Sequence, residues 1–133
     1  MEIEKNINEQ SETKKNVIRI IKGSIFSIII SLILLLIFAI LLCYTNLSEN
    51  SIKPTILVIT GVGILIGSMI SAKKIRKNGL INGGMVGVVY IIILYMVSSL
   101  TITNFSITIN SLTMLIVAII TGMIGGIIGI NLK

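Results

Sequence analysis

The side chains that most often carry out catalysis are nearly missing from this sequence. It has no His, one Cys and five acidic residues, all of them glutamates within residues 2–12 or at Glu49. A carboxylate pair for acid–base catalysis, a His-activated serine and a Cys/His metal site all need groups that this chain does not supply. It also has no G-x-x-x-x-G-K-[ST] phosphate loop. The sequence therefore predicts a protein that is not an enzyme and uses no metal or cofactor.

Neutral hydroxyl and amide side chains are the polar groups that remain inside the apolar stretches. They either line a narrow neutral pathway or donate hydrogen bonds to backbone carbonyls and neighbouring helices. The second role is favoured, because a hydroxyl, unlike a charged group, needs no special reason to lie within an apolar helix. The residues concerned are Ser24, Ser27, Ser31, Thr60, Ser68, Ser71, Asn82 and Thr121.

The composition places the chain in a membrane. Hydrophobic residues make up 54% of its 133 residues, the mean hydropathy is +1.06, and charged residues reach 12%, against about 25% in ordinary globular proteins. A soluble protein this small has too much surface for its volume to hide so much apolar area. We therefore expect an integral membrane protein.

Four uncharged stretches match the length of a membrane span. A helix of about 20 apolar residues crosses a hydrocarbon core of about 30 Å and satisfies its own backbone groups. The predicted fold is thus an all-α membrane protein of four transmembrane helices, arranged as two tandem helical hairpins within residues 23–133. Residues 1–22 precede it as a cytoplasmic tail, expected to be disordered to about residue 13 and to end in a basic interfacial segment. The predicted spans are about 23–45, 55–72, 80–100 and 111–130.

Basic residues fall almost entirely on one side of this arrangement, since only Lys53 lies on the other. The positive-inside rule then predicts that both termini are cytoplasmic in a multi-pass protein of the bacterial cytoplasmic membrane. Anionic headgroups of the bilayer are the expected partner, at about 1 kcal/mol per basic residue, and nucleic acid is not. The predicted topology and headgroup residues are Lys14, Lys15, Arg19, Lys22, Lys73, Lys74, Arg76, Lys77 and Lys133.

Small residues recur every four positions in all four predicted helices. This spacing puts them on one helix face and allows two backbones to approach closely. In the predicted topology they share the cytoplasmic half, so we expect tight packing there and a looser outer half, either with a lipid-facing cleft or with plain packing. The predicted packing residues are Gly23, Ser27, Ser31, Gly63, Gly67, Ser71, Gly79, Gly83, Gly87, Gly122, Gly125, Gly126 and Gly129.

The two hairpins resemble each other at an offset of about 60 residues, a kind of self-similarity that marks internal repeats. Residues Ile21–Ser24 match Ile81–Gly84, and Ile59–Gly61 match Ile120–Gly122. Each hairpin crosses outward and back, so the predicted repeat is of the parallel type, with a pseudo-two-fold axis along the membrane normal.

Glycine and lysine motifs at the helix ends also carry a family resemblance. They are Lys22-Gly23 with Ser31, Gly63…Gly67…Ser71-Ala72-Lys73 and Lys77-Asn78-Gly79…Asn82-Gly83…Gly87. On these motifs, residues 14–133 resemble the YrzE-like family of small, uncharacterised four-helix membrane proteins of Gram-positive bacteria. The resemblance implies the architecture and carries no activity with it.

These observations favour a structural or accessory membrane protein that associates through its small-residue helix faces, with itself as a homo-oligomer or with a larger membrane complex. The alternative is a small oligomeric channel, transporter or lipid-pathway protein for a neutral or small solute. A holin-like pore former is a third class that fits the size of the chain.

Overall fold

Four helices form the protein in a computed structural model that describes residues 1–101 and 108–132. Each helix is long and apolar enough to cross a membrane, and no strand occurs within the described residues. The predicted all-α fold with four spans is confirmed, and the protein is a multi-pass membrane protein. The helices are α1 (Glu2–Tyr44), α2 (Glu49–Ile75), α3 (Gly79–Thr101) and α4 (Ile109–Asn131).

Helix α1 is longer than its predicted span. It starts at Glu2 and has 43 residues, which makes it about 65 Å long, about twice the thickness of a hydrocarbon core. Residues 2–13, for which the sequence predicts disorder, therefore continue the helix. Extending an existing helix avoids the cost of nucleation, and residues 1–22 contain neither Gly nor Pro to interrupt it.

Helix α2 also begins before its predicted span. Its first residue is Glu49, after Ser48 in an extended conformation, and Pro54 lies inside the helix. Proline has no N–H to donate to the carbonyl of Asn50. Asn50 is exposed at the helix end, so another donor can satisfy that carbonyl.

The central pair of the bundle is α2 and α3. Helices α1 and α4 each pack against both of them, and α1 and α4 do not contact each other within the described residues. The two hairpins, α1–α2 and α3–α4, are each internally packed. A two-fold axis that maps α1 onto α3 and α2 onto α4 would make the pairs α1–α4 and α2–α3 equivalent. Because only α2 and α3 are in contact, the similarity between the hairpins is limited to the interface inside each hairpin.

The buried residues lie toward one end of the bundle. We call this the basic end, because it carries Lys22 and the turn at residues 76–78 between α2 and α3. The buried residues farthest from it are Ser31, Thr60, Ile91 and Ala118. Beyond them, no described residue of any helix is buried. The helices are thus tightly packed over the half that includes the basic end. Over the other half, which we call the outer half, the packing is looser, although Tyr95 Oη of α3 donates to the Ser111 carbonyl of α4 at 2.7 Å.

Glycine makes the packed half possible. If a Cβ atom were added, it would lie closer than 3.0 Å to another part of the chain at ten of the twelve glycines, a separation at which atoms overlap. At Gly61 the nearest atom, on Thr121, would be 3.9 Å away, and at Gly84 the nearest, on Met123, would be 3.3 Å away. The ten crowded positions are Gly23, Gly63, Gly67, Gly79, Gly83, Gly87, Gly122, Gly125, Gly126 and Gly129.

This difference predicts opposite effects for two Gly→Ala substitutions. Gly126→Ala places a methyl group against the backbone of α3, and overpacking of this kind costs about 1–3 kcal/mol. Gly61→Ala has ordinary space and gains up to about 1 kcal/mol of helix propensity. Thermal unfolding in detergent, followed by circular dichroism, should give a lower Tm for Gly126→Ala and an equal or higher Tm for Gly61→Ala. Equal Tm values for the two variants would contradict this account of the packing.

Candidate functional site

The interface between α1 and α2 is built from small residues on both helices. Gly67 lies against the Ser27 hydroxyl and the Gly23 carbonyl, and Gly63 lies against the Ser31 hydroxyl and the Ser27 carbonyl. Gly23, Ser27 and Ser31 are themselves buried. The small side chains let the two backbones touch, so van der Waals contact replaces the interdigitation of larger side chains.

The interface between α3 and α4 consists of glycine on both sides. Gly79 and Gly83 of α3 lie against the backbone of Gly122 and Gly126 on α4. Gly87 continues the same face toward the middle of the bundle. Because neither helix has side chains at these contacts, the carbonyl oxygens of one helix approach the Cα atoms of the other, a geometry that supports weak Cα–H···O contacts.

A second glycine face on α4 joins the two hairpins. Gly125 lies against Ser68 and the Leu65 carbonyl of α2, and Gly129 lies against Met69 and Ala72. Every glycine predicted to pack helices therefore meets a helix of the same chain. A partner protein that associates with this bundle has to use other surfaces.

Five hydroxyl groups in the packed half donate hydrogen bonds to backbone carbonyls. Ser24 Oγ donates to the Ile20 carbonyl at 2.9 Å and lies 3.3 Å from the Val86 carbonyl on α3. Ser71 Oγ on α2 donates to the Arg19 carbonyl on α1 at 3.2 Å. The hydroxyls that donate within their own helices belong to Ser27, Ser68 and Thr121. These bonds fit the structural role that the sequence favours over a pathway lining.

Asn82 lies in the first turn of α3, next to the turn at residues 76–78, and not in the middle of the bundle. Its Nδ2 donates to the Lys77 carbonyl at 2.7 Å. The turn itself is tight, since Arg76 and Asn78 have positive φ angles of 57° and 48°, and the Arg76 N–H donates to the Ala72 carbonyl at 2.9 Å. The amide of Asn82 therefore stabilises the turn.

Ser31 differs from the other buried serines, because its Oγ has no hydrogen-bond partner. A buried unpaired hydroxyl costs about 1–3 kcal/mol. We therefore predict that Ser31→Ala keeps or raises the Tm. Ser71→Ala is the matched control, because it loses the hydrogen bond to α1 and should lower the Tm. The same thermal unfolding measurement checks both, and a fall in Tm for Ser31→Ala that is as large as that for Ser71→Ala would contradict the prediction.

The basic residues form a groove at the basic end between α1 and α2. The groove has a volume of about 510 Å³, and its charged lining comes from Lys15, Arg19 and Lys22 of α1 and Lys74 of α2. The other predicted headgroup residues with a described position do not line it, and Lys133 lies outside the described residues. Those other residues are Lys14, Lys73, Arg76 and Lys77.

Three apolar residues of the groove were not among the candidates from the sequence. Ile18 and Phe26 of α1 and Ile70 of α2 form its apolar lining. A signal for them exists in the spacing, because Phe26 lies four residues after Lys22 and Ile70 lies four residues before Lys74, and residues four apart share a helix face. The sequence does not indicate that these two faces lie beside each other.

The sequence model of one protein family matches residues 16–129, and the family is described as a protein of unknown function (DUF3792). No curated protein and no solved structure matches the chain. The matched residues include every buried residue of the bundle. Because the match covers most of the chain, the protein belongs to this family.

Proposed function

We propose that the protein is a non-enzymatic, structural or accessory protein of the membrane, which associates with itself or with a larger membrane complex. One observation carries the proposal: the outer half of the bundle has no buried residue among those described. In this half Leu94, Tyr95 and Leu115 of α3 and α4 still pack against the core, but other apolar side chains of all four helices are exposed. Such a surface suits lateral contact with another transmembrane protein, where packing drives association.

Helix α1 contributes more exposed large apolar residues to this half than any other helix. Between Ser31 and the helix end at Tyr44 it is apolar and has no buried residue. Its packing in the other half is fixed by contact with α2 and α3, so the open part is presented on a rigid base. The sequence suggests association through small-residue faces, but those faces are occupied within the chain, and the proposed contact is therefore made by larger apolar side chains. The exposed residues are Leu32, Ile33, Leu36, Ile37, Ile40, Leu41 and Tyr44.

A transport pathway has less support. The serines that would line it are packed between helices and donate to carbonyls, as described above for Ser24, Ser27 and Ser71. A hydroxyl used in this way is not free to solvate a passing solute. A channel or lipid-pathway function would require a pathway between copies of the chain.

The proposed setting is the bacterial cytoplasmic membrane with both termini in the cytoplasm. It is supported by the basic residues gathered at one end of the bundle, as the positive-inside rule requires. The resemblance to YrzE-like proteins is in keeping with this setting and stays a prediction.

The partner can be tested by purification from the native membrane in polymer nanodiscs and mass spectrometry of the intact particle. The expected result is a second chain at fixed stoichiometry, either another copy of this protein or a different membrane protein. The double variant Leu36→Ala/Ile40→Ala should lose this second chain, because the substitutions remove apolar contact area from the exposed part of α1. The control is Ile25→Ala/Ile29→Ala, which truncates two comparably exposed residues of the same helix in the packed half and should retain it. Monomers in the unsubstituted protein, or equal loss in both variants, would contradict the proposal.

The orientation can be tested with single cysteines in the C43S background, because Cys43 is the only native thiol. Ser48 lies between α1 and α2, and Asn78 lies in the turn at the basic end. In intact cells a membrane-impermeant maleimide should label Ser48→Cys and should label Asn78→Cys only after the membrane is opened. The reverse pattern would contradict the orientation.

A further inference from the structure

We propose that the groove between α1 and α2 at the basic end binds one anionic glycerophospholipid, with its phosphate among the four cationic side chains and its acyl chains along Phe26 and Ile70. The proposal goes beyond the accessory function and does not depend on it. It requires only that the bundle lies in a membrane.

The first observation is a cluster of four cationic side chains that have no ion-pair partner among the described residues. Lys15, Arg19, Lys22 and Lys74 line one groove from two helices, and none of them forms an ion pair with any residue that the structure describes. Like charges held together repel each other, and a bound anion relieves that repulsion. Phosphate suits the set, because the guanidinium of Arg19 can donate two parallel hydrogen bonds and the lysines can act as point charges.

The second observation is the depth at which charge gives way to apolar surface. Measured along α1 from Gly23, Arg19 lies about 6 Å and Lys15 about 12 Å toward the basic side, and Phe26 lies about 4.5 Å into the hydrocarbon. A headgroup layer is about 5–7 Å thick. The phosphate of a lipid would therefore lie level with Lys22 and Arg19, and its chains would begin level with Phe26.

The apolar lining of the groove favours a lipid over a free anion as the ligand. Phe26 is 45% exposed and Ile70 is half-buried, so the bundle itself leaves the apolar end of the groove partly uncovered. Inorganic phosphate would gain nothing from these two side chains, whereas acyl chains would bury them. Basic pockets between transmembrane helices on the cytoplasmic side are known to bind anionic lipid headgroups.

The third observation is a rigid floor. Gly23 and Ser71 line the base of the groove, and a Cβ added at Gly23 would lie 2.6 Å from the Cβ of Ser71. The Ser71 hydroxyl donates to the Arg19 carbonyl at 3.2 Å, which ties the backbone of a cationic residue to the opposite helix. A groove whose walls are already fixed loses less conformational entropy when its ligand binds.

Native mass spectrometry of the delipidated full-length protein in detergent tests the site, with dioleoyl phosphatidylglycerol as the probe and dioleoyl phosphatidylcholine as the neutral control. We expect one saturable phosphatidylglycerol per chain and no saturable phosphatidylcholine. The variant Arg19→Gln/Lys74→Gln removes one groove cation from each helix and should weaken binding about 30-fold. The matched control Lys73→Gln/Lys77→Gln removes the same charge from the same end of the bundle, outside the groove, and should bind as the unsubstituted protein does.

A second groove variant, Lys15→Gln/Lys22→Gln, tests the same site independently in case the first variant misfolds. Circular dichroism verifies the helical content of all variants. Equal weakening by the groove and control variants would overturn the proposal, because it would show general surface attraction. Saturable binding of phosphatidylcholine, or displacement of phosphatidylglycerol by inorganic phosphate alone, would also overturn it.

Discussion

Close approach of helix backbones is the constraint on which the rest of this structure depends. Lipid tails are as apolar as the helix side chains, so no hydrophobic force drives one transmembrane helix against another. Van der Waals contact and hydrogen bonds have to do so. In this chain glycine and serine provide both: the absence of a side chain at Gly83 and Gly126 brings α3 onto α4, and Ser71 bonds to α1.

The same constraint explains the two different halves of the bundle. The glycines lie toward the basic end or near the middle of the helices, and the larger residues that follow them, such as Leu36 and Ile40, do not allow the same approach. The helices are therefore tightly packed over one half and more loosely packed over the other, where the hydrogen bond from Tyr95 to Ser111 still joins α3 to α4. Both proposals follow from this asymmetry, because the loosely packed half leaves apolar surface for a membrane partner and the tightly packed half holds the walls of the cationic groove in place.

The sequence predicts the number of helices, their approximate spans and the small-residue faces, because each of these depends on residues close together in the chain. The neighbours of each face depend on the three-dimensional arrangement and were not predictable. Gly122 and Gly126 face α3, whereas Gly125 and Gly129 on the same helix face α2. The groove could not be predicted from the sequence for the same reason, since Lys22 and Lys74 are 52 residues apart in the chain. The helical start of α1 was missed because its polar composition resembles that of a disordered tail.

The measurement that tests the central claim most directly is the distance distribution between spin labels on α1 and α4 at two depths, in liposomes and in the C43S background. One pair replaces Ile25 and Ile124 in the packed half, and the other replaces Ile40 and Leu112 in the outer half; all four side chains are exposed. A narrow distribution is expected for the first pair and a broad one for the second, because α1 has no buried residue at the depth of Ile40. Distributions of equal width at the two depths would contradict this expectation.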